Sequence, residues 1–171
     1  MKVLKPYDQL FKDSTHYALL KSGRDAGKSS VLYQLVTHNL FKYIDLDVIV
    51  CRSNYGDLQK SLFNGILKYI ENEKLIQFVE TRTRPLKITN KLNGNVIYFE
   101  GIGGADLSRS KGLEPDNKVS LIVIDECQQL PKQENLDQAL ATFRRHLHHR
   151  NWKVVIAFNP ERQNSHWRSE E

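Results

Sequence analysis

Cysteine is nearly missing from this chain: Cys51 and Cys127 are the only two among 171 residues. Two distant thiols outside a CxxC spacing build neither a disulfide framework nor a zinc site, so both read as small apolar side chains in or beside strands. Long apolar runs are missing too. The longest, such as Val48-Ile49-Val50-Cys51 and Val154-Val155-Ile156-Ala157-Phe158, fall far short of the roughly 18 residues of a membrane helix. The opening Met1-Lys2-Val3-Leu4-Lys5-Pro6 has no apolar stretch of signal-peptide length, so the expected location is the cytosol, with no membrane partner. At 40% apolar and 26% charged residues, collagen-like, mucin-like and disordered classes are excluded. A chain of this length buries roughly 70% of its unfolded surface, enough for one core and one domain.

Acid is absent from two stretches. Residues 81–99 carry Arg82, Arg84, Lys87 and Lys91, and residues 138–160 carry Arg144, Arg145, Arg150 and Lys153, with no Asp or Glu in either. The net charge is only +5, so the excess is local, and it points to a polyanion partner bound with counterion release. Two solvated faces would carry the same charges, and charge alone does not decide between them.

Apolar periodicity gives an α/β order. His16-Tyr17-Ala18-Leu19-Leu20 reads as a short buried strand running into Lys21-Ser22-Gly23-Arg24-Asp25-Ala26-Gly27. Val31, Leu32, Leu35, Val36 and Leu40 predict a helix over residues 28–41. Residues 46–51 form a second buried strand, and Leu58, Leu62, Ile66 and Ile70 step by four through a second helix. Arg84-Pro85 breaks the chain before strands at 86–89 and 96–99, joined by an Asn93-Gly94 hairpin turn. A glycine-bearing stretch, 101–117, leads to the most apolar strand, 119–124; a helix over 133–149 and a strand over 153–158 follow. Such alternation implies a mainly parallel sheet with helices on both faces.

Three strand ends carry chemistry. Ser22-Gly23-Arg24-Asp25-Ala26-Gly27-Lys28-Ser29 lies between strand and helix, the context of a phosphate-binding loop. Gly23 and Gly27 let backbone N–H groups turn inward around phosphates, and the helix N-terminus adds its positive end. Lys28 supplies an ammonium for the β- and γ-phosphates, and the Ser29 hydroxyl can ligate Mg2+. Leu121-Ile122-Val123-Ile124 ends in Asp125 and Glu126, two carboxylates at the C-terminal edge of the sheet, where ligands sit in open α/β folds. Asp125 suits the Mg2+ shell and Glu126 the polarisation of an attacking water. Together these two signals identify an NTPase. The third, Ala157-Phe158-Asn159-Pro160, ends a strand in an amide that can sense a γ-phosphate, although Asn-Pro also starts ordinary turns.

The combination resembles the phage terminase large subunits, ATPases that pump DNA into viral capsids. Ser22 to Ser29 is similar to that family's Gly-Gly-Arg-Gly-Ser-Gly-Lys-Ser loop, with Arg24 at the place of the loop arginine. The likeness continues through Val50-Cys51-Arg52-Ser53, Leu58 to Phe63, Ile97-Tyr98-Phe99-Glu100-Gly101, Lys111-Gly112, Ile122 to Glu126 and Arg144-Arg145. It closes on Asn159-Pro160 followed by His166-Trp167. The resemblance implies a P-loop NTPase domain of the RecA-like (ASCE) type, its mainly parallel sheet flanked by helices and extended by an antiparallel hairpin. It implies ATP held by Ser22, Gly23, Arg24, Asp25, Ala26, Gly27, Lys28, Ser29 and Ser30, and Mg2+ held by Ser29 and Asp125. Glu126, Lys28 and Arg24 become the catalytic residues, with Asn159 linking ATP state to DNA movement. Two departures stand out: Ser22 replaces a glycine, and Asp25 puts an acid beside the phosphates. The partners implied are double-stranded DNA, a portal protein and a small terminase subunit, in a homo-oligomeric ring docked on a procapsid in the host cytoplasm. Complete members continue into an RNase H-like nuclease, so these 171 residues, one ATPase domain, are expected not to cut DNA.

Other residues have plainer readings. His146, His148 and His149 lack the i, i+4 spacing of a helical zinc pair and read as a solvated basic face. Trp152 and Trp167 read as packing residues, and Tyr7 as a candidate for stacking on adenine. Arg109 and Lys111 are candidates for a charge supplied to a neighbouring subunit's site. One RecA-like lobe of a helicase, or a non-catalytic nucleotide switch, would share the loop and the acid pair; a second α/β lobe downstream would favour the helicase, and Glu126 argues against the switch.

Overall fold

The computed structural model describes residues 5–12, 15–21 and 27–159. Seven strands form one sheet: β1 (Tyr17–Lys21), β2 (Leu46–Arg52), β3 (Val79–Thr83), β4 (Leu86–Asn90), β5 (Val96–Gly101), β6 (Lys118–Ile124) and β7 (Lys153–Phe158). Their spatial order is β1-β7-β6-β2-β5-β4-β3. The first five run parallel, and β4 and β3 add an antiparallel extension through β5. The expected sheet is therefore present, with its hairpin at one edge.

Alternation along the strands sorts the core into two layers. Val48 and Val50 of β2 and Leu121 and Val123 of β6 pack on one face with helices α1 (Lys28–Lys42) and α3 (Asn64–Asn72). Ile49, Cys51, Ile122 and Ile124 point to the other face, against α5 (Gln133–Arg144) and its buried Phe143. Central strands covered on both sides must be apolar at every position, which is why residues 48–51 and 121–124 read as unbroken apolar runs. Cys51 and Cys127 are buried free thiols, as expected of small apolar side chains.

Four expectations need correction. Among the described residues the first strand is an edge strand: Tyr17 and Leu19 are largely exposed, because β1 pairs there only with β7. The helix expected over 133–149 stops at Arg144, since residues 146–148 leave it to run beside β6; Val119 N–H donates to His146 O, and His148 N–H to Val119 O. The three histidines therefore lie beyond the helix. Residues 79–83, too polar to show an apolar pattern, form β3. The loose stretch at 101–117 contains a short helix, α4 (Ala105–Ser110).

The helix carrying Leu58 to Ile70 is not uniform. α2 (Tyr55–Leu58) passes into a π-helical turn, Gln59–Phe63, before α3 begins. Its four apolar residues are all buried, so the period of four was legible while the extra residue in the turn was not.

Glu100 on β5 is half-buried. Burial pushes its carboxyl up to about 7, with Asp106 adding to the rise and Lys87 opposing it. A carboxyl whose folded value exceeds its unfolded one binds its proton more tightly when folded, so stability falls as pH rises from about 4.5 to about 7. Glu100→Gln should raise the melting temperature at pH 8 and change it little at pH 5. Equal shifts at the two pH values would contradict this account.

Candidate nucleotide site

Three neighbouring parallel strands bring the site together at their C-terminal ends. β7 is followed directly by Asn159 and β6 by Asp125 and Glu126, and β2 ends at Arg52. β1, on the far side of β7, leads toward α1, whose N-cap is Gly27 in the left-handed conformation (φ 75°). A residue with a Cβ is disfavoured there, and the glycine turns the chain so that the first N–H groups of α1 open at the strand ends.

Lys28 is 8% exposed, and its Nζ donates to Asn159 Oδ1 at 2.5 Å. Burial pushes its pKa down, while Asp125 and Glu126 pull it back up. Asp125 is buried; burial pushes its carboxyl up, Arg52 pulls it down, and Glu126 raises it further. Its N–H donates to Cys51 O, extending the β2–β6 ladder to the acid itself. Glu126 takes a left-handed backbone (φ 50°), rare for a residue with a side chain, where the chain leaves β6 for the short 3-10 turn Cys127–Gln129. Sparsely populated backbone of this kind concentrates at functional sites.

The sequence reading missed three residues that complete this arrangement. Arg52 Nη2 pairs with Glu126 Oε2 at 2.5 Å and with Asp125 Oδ2 at 3.5 Å, and its Nη1 donates to Ser61 Oγ at 2.8 Å. Gln128 Oε1 accepts the Asn159 N–H at 3.2 Å, tying the segment after the acids to the amide at the end of β7. An arginine ending a buried apolar strand beside the acid strand was the available signal for Arg52; Ser61 and Gln128 carried none.

Among the expected site residues, Lys28, Asp125, Glu126 and Asn159 meet in one place, with Ser29 at the start of α1 beside them. Ser29 and Ser30 are exposed. Ser22, Gly23, Arg24, Asp25 and Ala26 lie outside the described residues, as do Pro160, His166 and Trp167. Tyr7 is half-buried against the α1-side core. Trp152 stacks on His16, with ring centroids 4.3 Å apart, and is a packing residue.

The donor set suits Mg2+. A buried carboxylate and a hydroxyl supply hard oxygen ligands, and no described group of three or more His, Cys, Asp or Glu forms a closed cage. Mg2+ typically takes one or two protein ligands and completes its shell with water and substrate phosphates.

The two acid-free stretches do not form a single stripe. Arg82 and Lys87 face each other across β3 and β4 at one edge of the sheet. Arg144 contacts the Tyr17 hydroxyl of β1 at the other edge, Arg145 pairs with Glu114, and Lys153 is buried, donating to Leu10 O and Lys12 O. Much of the second stretch is thus spent on internal contacts.

A parallel sheet in which an amide-tipped strand separates the loop strand from the acid strand, with a glycine-capped helix bearing lysine and serine, defines a P-loop nucleotide-binding domain. A family model described as the phage terminase large subunit matches residues 14–171, and the chain belongs to that family. Comparison with curated proteins finds no matching sequence. Among solved structures, the chain is similar to the HK97 bacteriophage large terminase, at 17% identity and a TM-score of 0.65, covering 84% of this chain and 29% of that one. It is also similar to the N-terminal domain of the DNA packaging ATPase from bacteriophage phi29, at 15% identity and a TM-score of 0.64, covering 89% and 77%. A large terminase from a thermophilic bacteriophage, solved in complex with ADP, matches at 18% identity and a TM-score of 0.62, covering 84% and 34%. The chain spans about a third of the length of the large terminases it matches. No described helix is long and apolar enough to cross a membrane.

Proposed function

We propose that this domain hydrolyses ATP, with Mg2+, as the motor of a phage DNA-packaging machine. The observation that carries the reading is the convergence of Lys28, Asn159, Asp125 and Glu126 at adjoining strand ends, with α1 opening beside them. Membership of the terminase family and the ADP complex of a relative support the nucleotide; double-stranded DNA, a portal protein, a small subunit and a ring of copies in the host cytoplasm belong to the same proposal.

Lys28 and the first N–H groups of α1 bind and neutralise the phosphates, and Arg24 adds a charge from the loop. Mg2+, held by Ser29 and Asp125, would offset charge on the phosphate oxygens. Glu126 takes the proton of the attacking water as the new oxygen–phosphorus bond forms, while the bond to the ADP oxygen breaks and that oxygen keeps its electrons.

Two contacts bear on the chemistry. Glu126 is engaged by Arg52, so its carboxylate must loosen from the guanidinium before it can accept a proton. Lys28 donates to Asn159, and a bound γ-phosphate competes for the same ammonium. Releasing Asn159 changes what holds the segment after Glu126, because Gln128 grips the Asn159 N–H. Asn159 thereby links phosphate occupancy to the chain beyond β7.

A phosphate-release assay tests the reading. Hydrolysis should require Mg2+ and stop with EDTA. A pure, folded protein that binds ATP with Mg2+ and releases no phosphate, even with DNA present, would turn the proposal toward a nucleotide switch.

A further inference from the structure

We propose that Ser61 is a positioning residue for Arg52: its hydroxyl holds one arm of the guanidinium and leaves a single arm for the acid pair. The inference rests on the reading of Glu126 as the group that activates water. Arg52 ends β2 with its side chain 12% exposed, beside the strand that delivers the acids. Its Nη2 meets Glu126 Oε2 at 2.5 Å and Asp125 Oδ2 at 3.5 Å, while Nη1 donates to Ser61 Oγ at 2.8 Å. Among the described residues, Arg52 Nε is buried and has no hydrogen-bond partner. The stem therefore does not fix how the fork faces the acids; its two ends do.

The Ser61 hydroxyl is itself fixed. It donates to Asp57 O at 2.6 Å, the bond a helical serine makes to the carbonyl four residues back. That commits its single proton and leaves a lone pair for Arg52. Ser61 lies in the π-helical segment Gln59–Phe63, closed by Asn64 N–H donating to Gln59 O. Leu58, Leu62 and Phe63 are buried around it, and Tyr55 N–H donates to Asp106 at the start of the same irregular helix. The hydroxyl thus meets Arg52 from a support anchored on both sides. π-turns are uncommon and occur frequently at functional sites.

A neutral acceptor at this place sets how firmly Arg52 grips Glu126. Released from Ser61, the fork can turn and lay two parallel N–H groups on the Glu126 carboxylate. Bidentate pairs of that kind are stronger than a single contact. A carboxylate so held leaves the guanidinium less readily to take a proton from water. An acid in place of Ser61 would do the opposite and draw the cation off the pair; a hydroxyl holds it without competing in charge.

A serine that merely caps its own helix would make the Asp57 contact alone, so the test follows Arg52. Hydrolysis is measured with Mg2+ and DNA, and the Arg52 guanidinium is followed by 15N NMR in nucleotide-free protein, assigned through Arg52→Lys. Ser61→Ala should lower kcat about tenfold, the scale of one hydrogen bond to a charged group, and leave the KM for ATP and the melting temperature near wild type. The same variant should shift the Arg52 Nη signals. Ser61→Thr, which keeps the hydroxyl, should restore both. In an Arg52→Lys background Ser61→Ala should add nothing, because lysine offers no fork. Unchanged Nη signals in Ser61→Ala overturn the positioning role whatever the rate does. So does a loss of kcat that Ser61→Thr does not repair, or one that persists undiminished beside Arg52→Lys. A wild-type protein that releases no phosphate removes the water-activating reading of Glu126, and the nucleotide-free spectra then still decide whether Ser61 holds Arg52.

Discussion

Glu126→Gln leaves ATP bound and stops its hydrolysis. Glutamine keeps the shape of the side chain and loses the capacity to take a proton, and removing a general base typically costs 10²–10⁴-fold in rate. The phosphate cradle, Lys28 and the start of α1, is untouched, so nucleotide affinity should stay within a few-fold of wild type. Arg52 loses its pair with Glu126 but keeps Asp125 and Ser61, which holds the strand end in place. Lys28→Ala should behave differently. It removes the ammonium that meets the phosphates and leaves Arg52 as the cation beside the buried Asp125, so binding and hydrolysis fall together. Phosphate release and equilibrium ATP binding, measured on both variants, separate the two roles. A Glu126→Gln protein that hydrolyses ATP at the wild-type rate would remove Glu126 from the chemistry.

The signals legible in the sequence were those that the sheet demands. Strands buried on both faces must be apolar throughout, and functional groups in parallel sheets cluster at strand ends; Lys28, Asp125, Glu126 and Asn159 could therefore be read from their places after apolar runs. The contacts that tune those groups were not legible. Ser61 reaches Arg52 from a π-helical turn, and no periodicity announces one extra residue inside a helix whose apolar positions still fall every four. Gln128 matters through a partner remote in sequence. β3 was invisible because four of its five side chains are exposed, which leaves no alternation to detect. The end of α5 was misjudged because residues 145–149 do not break helical propensity; pairing of Leu147 with Val119 overrides it.

Arg109→Ala or Lys111→Ala should leave ATP binding by a single subunit unchanged and abolish stimulated hydrolysis in the assembled motor. Negative charge develops on the γ-phosphoryl oxygens during transfer, and a cation supplied by a neighbour can raise the rate 10³–10⁵-fold. Both residues are exposed, and the Arg109 side chain is 82% exposed, held only by Asp106 at 3.5 Å. Their mount is firm. Ile102 N–H donates to Arg52 O, Gly103 N–H to Ser53 O, and Tyr55 N–H to Asp106, so α4 is fixed to the same strand end that carries Arg52. Exposed cations on a helix tied to the end of β2 suit a charge offered outward to the next copy. Mixing a basic-residue variant with Glu126→Gln protein then gives a decisive readout. In an equal random ring, about a quarter of interfaces join an intact Glu126 to a neighbour's intact cation, and hydrolysis should return in proportion. No recovery, with ring assembly confirmed, would refute the role in trans and leave Arg24 as the charge that completes the site from within.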